Sequence, residues 1–161
     1  MAIVVSDTSA IAALVHLGLA HILQSLFVEV FVPPAVAHEL KNPRGPRSAI
    51  DVAQIRFITI KAPADISRVA RLSVDLGAGE SEAITLAIEL SADWILIDED
   101  QGRRVATELG LHATGVCGIL VRAKRDGLVK AVLPLIDQLT SEIEFRISPK
   151  LREQVAKLAG E

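Results

Sequence analysis

Short apolar runs recur along the chain, and between them the apolar positions fall at helical spacing. AIVVS (Ala2–Ser6) is rich in β-branched residues and predicts a buried strand. VEVFV (Val28–Val32) predicts a second strand, RFITI (Arg56–Ile60) a weaker third, WILI (Trp94–Ile97) a fourth and His112–Thr114 a short fifth. Helices are predicted from Ala10 to His16, broken near Gly18, and from Leu19 to Leu26. The pair Pro33–Pro34 ends the second strand, and Pro34 suits the first turn of a helix running to Leu40. Asp65 or Ser67 opens a helix carrying Ile66, Val69, Ala70 and Leu72. Gly77–Gly79 punctuates the chain before ESEAITLAIEL, whose Ala83, Ile84, Ala87 and Ile88 share one face. Further helices are expected over Gly102–Gly110, Gly118–Gly127, Leu128–Leu139 and Ser148–Leu158. KNPRGPRS (Lys41–Ser48) is a polar loop. Strands alternating with helices predict an α/β fold with a parallel sheet flanked by helices. Right-handed crossovers then place every strand's C-terminal end on one edge.

Composition narrows the class. The 161 residues suffice for one domain with a substantial core, and no repeat or linker divides them. The expectation is a single domain over residues 1–161, with a helical extension from about residue 128. The single Cys117 excludes an internal disulfide and suits a reducing, cytoplasmic setting. No apolar run approaches the roughly 20 residues of a membrane span, and MAIVVSD lacks a basic leader. A net charge of −3 gives no support to nucleic-acid binding and slightly opposes it.

The candidate chemistry is acidic. ILIDEDQGRR (Ile95–Arg104) ends a buried strand in Asp98, Glu99 and Asp100, a knot of like charge that needs either water or a cation. Asp7 ends the first strand, so Asp7 and Asp98 fall on the same carboxyl edge. Glu39 closes the helix after the second strand, and Glu80 and Glu82 open the helix after GAG. Read singly, each has an ordinary explanation: an N-cap for Asp7, a surface glutamate for Glu39, helix-start acids for Glu80 and Glu82. Read together, an oxygen-only cluster without His or Cys support points to Mg²⁺ or Mn²⁺. His16, His21, His38 and His112 follow no ligand spacing.

In order along the chain, VVSDTSAI, VPPAVAHEL, LGAGESEAITLAIEL and ILIDEDQGRRVATELGL resemble the PIN-domain family, close to its VapC-like branch, over Ile3–Gly127. The resemblance implies a three-layer α/β/α sandwich around a parallel sheet. It also implies a Mg²⁺- or Mn²⁺-dependent endoribonuclease whose acidic quartet corresponds to Asp7, Glu39, Glu82 and Asp98. Glu80 competes with Glu82, and Glu99 or Asp100 with Asp98. Thr8 or Ser9 would orient a water or a ligand carboxylate. Cations must hold the RNA backbone, and Lys41, Arg44, Arg47, Arg103 and Arg104 are the candidates. A homodimer is implied as well, and Ile11–Leu26 carries more apolar surface than one sheet face is expected to cover. For a toxin of this branch, an antitoxin protein is the implied partner. Two alternatives stand beside the ribonuclease: a non-catalytic nucleic-acid-binding or scaffold protein of the same fold, and a Mg²⁺-dependent phosphotransfer or receiver-like domain. No Gly-rich phosphate loop supports the latter.

Overall fold

The computed structural model describes residues 2–161. Five strands, β1 (Ile3–Ser6), β2 (Glu29–Val32), β3 (Ile58–Ile60), β4 (Trp94–Leu96) and β5 (Ala113–Thr114), form one sheet in the order β3-β2-β1-β4-β5. Every pairing is parallel, as crossover connections through helices require. Register follows the alternation of side chains. Val4, Val30, Val32 and Leu96 point to one face, and Val5, Phe31, Ile95 and Ile97 to the other.

Each face is covered by its own helices, which makes three layers. One core joins the sheet to α1 (Thr8–His16), α2 (His21–Leu26), α3 (Pro34–Lys41), α7 (Val116–Arg125), α8 (Leu133–Ile143) and α9 (Pro149–Ala159). The other joins it to α5 (Ala78–Glu89) and α6 (Asp100–Glu108), with Leu72 of α4 (Ile66–Leu72) packed at its margin. Ile11, Leu14, Ile22 and Leu23 are fully buried in the first core. Much of the apolar surface expected on Ile11–Leu26 is therefore absorbed within one chain, with Val15, Leu17 and Leu19 left half-buried.

Several boundaries differ by about two residues from the sequence reading, and three departures are larger or bear on the site. The helix expected over 128–139 begins instead at Leu133. Gly127 turns the chain at a positive φ of 75°, and Pro134, which lacks an N–H, falls in the first turn of α8. Helix α5 begins at Ala78, so Gly79 lies inside its first turn rather than before it. A short 3₁₀ turn at Val52–Gln54, capped by the Asp51 carboxylate, interrupts the long loop. Among the described residues no helix is long and apolar enough to cross a membrane.

Candidate metal centre

Strand order reverses at β1, with β2 and β3 added on one flank and β4 and β5 on the other. The crevice at such a switch point, outside the carboxyl ends of the strands, is where α/β sheets bind ligands. The Asp7 N–H donates to the Leu96 carbonyl at 2.8 Å and ties the tips of β1 and β4 together. Asp7 and Asp98, just beyond those tips, thereby reach one place. Asp7 occupies the N-cap position of α1 but caps it with no side-chain hydrogen bond. Its residue is only 6% exposed, and burial raises its carboxyl to a pKa of about 7. The neighbouring charges of Glu80, Glu39 and Asp98 push in the same direction, and the Thr8 N–H opposes them.

The other acids approach from separate elements. Glu39 on α3 accepts the Thr8 hydroxyl at 2.5 Å on one oxygen and the Gly79 N–H at 3.1 Å on the other. Glu80, in the first turn of α5, accepts the Gly77 N–H at 3.4 Å. Gly77 has no side chain to complete a reciprocal cap, and the second Glu80 oxygen, Oε2, is buried with no hydrogen-bond partner. Asp98 accepts the Val116 N–H at the start of α7 at 3.0 Å, while its Oδ2 is likewise buried and unpartnered. Burial raises the Glu80 carboxyl, and the Glu99 charge adds to that. Burial also raises Asp98, and the Val116 N–H, Arg103 and Arg47 offset part of the shift.

Three of these carboxylates rest directly on glycine. A methyl group at Gly79 would stand 2.7 and 2.9 Å from the two Glu39 oxygens. One at Gly102 would collide with Glu80 Oε2, and one at Gly115 with Asp98 Oδ1. The glycines thus reserve the room the carboxylates occupy, a reason for GAG and for Gly102 that punctuation alone does not supply.

The remaining sequence candidates divide. Glu82 turns away and accepts the Ala35 N–H at 2.8 Å, so it caps the N-terminus of α3 from the adjacent helix. Its charge is not among those acting on Asp7. The acidic knot at the tip of β4 also splits, because only Asp98 faces inward. Glu99 is exposed at the N-cap of α6, and the Asp100 side chain is 91% exposed and paired with Arg103 at 2.8 Å. Ser9 is half-buried beside Thr8. Among the candidate cations, Arg103 and Arg47 act on Asp98, whereas Lys41, Arg44 and Arg104 are exposed and act on none of the shifted acids. Arg122, Arg125 and Arg146, not singled out from sequence, lie with Arg103 along a groove beside Asp98. The i,i+3 spacing of Arg122 and Arg125 on one helix face was the available signal. Burial, with the Asp98 charge adding, pushes the Cys117 thiol up to about 12, so it remains protonated and is neither ligand nor nucleophile at neutral pH.

The donors present suit a hard divalent cation: carboxylate oxygens only, two of them buried and unsatisfied. Among the described residues no three His, Cys, Asp or Glu side chains stand close enough to enclose an ion as they are. A cation held here would keep water in part of its shell, as Mg²⁺ does.

The comparisons bear on the family and the fold. Over residues 3–161 the chain matches the family model DUF3368, described as a PIN domain. Among solved structures it is similar to a PilT N-terminus domain protein, SSO1118, from the hyperthermophilic archaeon Sulfolobus solfataricus P2. The identity is 22% and the TM-score 0.51, over 75% of this chain and 92% of that one, a likeness of fold. No curated protein matches. Since the family model spans all but the first two of the 161 residues, the chain belongs to the PIN-domain family.

Proposed function

We propose that the chain is a Mg²⁺- or Mn²⁺-dependent endoribonuclease whose working acids are Asp7, Glu39, Glu80 and Asp98. PIN domains are generally nucleases acting on nucleic acids, typically with divalent metals, and membership supports that coarse class. The choice of RNA and of these four acids belongs to the proposal. The observation that carries it is the pair of buried, unpartnered oxygens, Glu80 Oε2 and Asp98 Oδ2, on two acids whose charges both act on Asp7. An unsatisfied buried acceptor costs about 1–3 kcal/mol, and a cation that satisfies it removes that cost. Asp7, Asp98 and Glu80 would hold the ion. When bound, it supplies Lewis-acid polarisation of a phosphate oxygen and a water of lowered pKa.

The chain's own residues do the rest. Thr8 and the Gly79 N–H fix both oxygens of Glu39, so this carboxylate keeps one orientation toward Asp7 and can hold a proton of the attacking water. Glu82 keeps α3 docked on α5 and so sets where Glu39 stands. The proposal extends to the VapC-like branch and to a homodimer. Support for a second copy lies on α4 and just after it, where Ile66 is 79% and Val74 81% exposed. An antitoxin would be the partner of such a toxin.

The test is incubation of labelled RNA with Mn²⁺ or with excess chelator, followed by end mapping. Cleavage is expected only with metal and is lost in Asp7→Asn; cleavage persisting in chelator overturns the reading. One observation favours a second reading, a non-catalytic nucleic-acid-binding PIN domain: the acids are not gathered as they stand. Binding of RNA and Mn²⁺ without any cleavage would select it.

A further inference from the structure

Beside Asp98 the surface sinks into a groove of about 430 Å³ lined by α7, α9 and, between α8 and α9, Phe145 and Arg146. Arg103, Arg122, Arg125 and Arg146 line it, and Asp98 is its only acid. In a chain of net charge −3, four guanidinium groups against one carboxylate form a strongly uneven patch. Their charges are incompletely answered from within. Arg103 is paired with Asp100, but Arg125 and Arg146 form no ion pair among the described residues. Arg122 is held in place by apolar and neutral groups: its guanidinium lies 5.4 Å from the Phe27 ring centroid and donates to the Leu26 carbonyl at 3.4 Å. An arginine anchored in this way loses less freedom on gripping a ligand.

We propose that this groove is the seat of a single nucleic-acid strand, with Arg146, Arg122 and Arg125 gripping phosphates along the strand that leads away from the one presented at Asp98, down the length of α7. The claim deepens the nuclease reading and takes its direction, toward Asp98, from that reading. Arginine presents a fork of donors that matches phosphate oxygens. The volume is that of a small-molecule site, the scale on which an extended strand is held one residue at a time. Leu151 and Val155 give the groove an apolar floor against which sugars and base faces can rest. Arg122 and Arg125 fall on α7, and Arg146 precedes α9, so the grip comes from the C-terminal third of the chain and not from the loop after α3.

The test uses the full chain carrying Asp7→Asn, with fluorescence anisotropy of a short labelled single-stranded RNA across a salt series. Removing one arginine–phosphate pair lowers the salt slope by about 0.7, so adding Arg125→Ala/Arg146→Ala should flatten it by about 1.4 and weaken binding tenfold or more. Both side chains are exposed, so melting should not change. The charge-matched Lys61→Ala/Arg71→Ala pair, exposed on other elements, should leave slope and affinity as they were. An unchanged slope in the Arg125/Arg146 variant overturns the groove even if the wild-type protein cleaves RNA. A flattened slope in a protein that never cleaves RNA keeps the groove and overturns the nuclease reading instead. Displacement of the RNA by a poly-glutamate peptide at lower concentration than by unlabelled RNA of equal charge would overturn the assignment to nucleic acid in favour of an acidic protein partner.

Discussion

Replacing Asp7 by Asn should stabilise the metal-free protein at neutral and alkaline pH. The carboxyl is buried, with a pKa raised from 3.8 to about 7. Below pH 3.8 it is protonated in both the folded and the unfolded chain and contributes no difference. Between 3.8 and about 7 the unfolded chain releases the proton while the folded chain retains it, so folding stability falls as pH rises. Above the folded value the full penalty applies, about 4 kcal/mol from a shift of roughly three units at 1.36 kcal/mol each. Glu80 and Asp98 shift in the same direction and steepen the fall. The amide of Asn keeps the shape and the acceptor for the Thr8 N–H. Its new NH₂ group, if unpaired, costs about 1–3 kcal/mol, which leaves a net gain of about 1–3 kcal/mol. For a chain of this size that raises Tm by roughly 2–12 °C. Thermal unfolding in chelator at pH 8 should show the variant above the wild type, with the order crossing between pH 4 and 7 and the wild type about 1–3 kcal/mol the more stable near pH 4. Adding Mn²⁺ should reverse the order, because an ion bound only to the folded wild type adds about 4.1 kcal/mol at a thousand times its Kd. A variant no more stable than the wild type at pH 8 in chelator would show that Asp7 is neither buried nor crowded as described.

The other acids give sharper contrasts. Glu80→Gln should abolish the Mn²⁺-induced rise in Tm, whereas Glu82→Gln should preserve that rise and lower stability by about 1 kcal/mol through the weakened cap on α3; equal loss of the metal response in both would reject the division between them. Gly79→Ala places a methyl group within 3 Å of the Glu39 oxygens and should destabilise by about 1–3 kcal/mol in chemical denaturation while lowering any RNA cleavage. Thr8→Val removes the donor to Glu39 and should cost about 1–2 kcal/mol, with Thr8→Ser restoring most of it.

How much of this site can be read from residues alone depends on which geometry each residue needs. Asp7 and Asp98 are legible because a strand has only two faces and one end: a β-branched run followed by an acid puts that acid at the carboxyl edge of a parallel sheet. Glu80 and Glu82 are not, because two positions along a helix differ by about 200° around its axis. Which one faces the edge depends on how the helix rolls against its neighbours. Glu80 lies three and four residues before the buried Ala83 and Ile84, on their side of α5, while Glu82 turns to α3. The knot at Asp98–Asp100 resolves for a related reason: Glu99 is the residue at which strand geometry gives way to helix, so the acids on its two sides point apart. Net charge was the least informative quantity. A value of −3 argues against a polyanionic ligand only if charge is spread evenly. Here the acids that make the total negative include those buried at the switch point, while Arg103, Arg122, Arg125 and Arg146 come from three stretches of sequence to one groove. On the function proposed above, a phosphodiester would use both halves of that arrangement, cations to hold its neighbours and unsatisfied carboxylates to hold the metal. Asp98 belongs to both, as a lining residue of the groove and as the bearer of a buried, unpartnered oxygen.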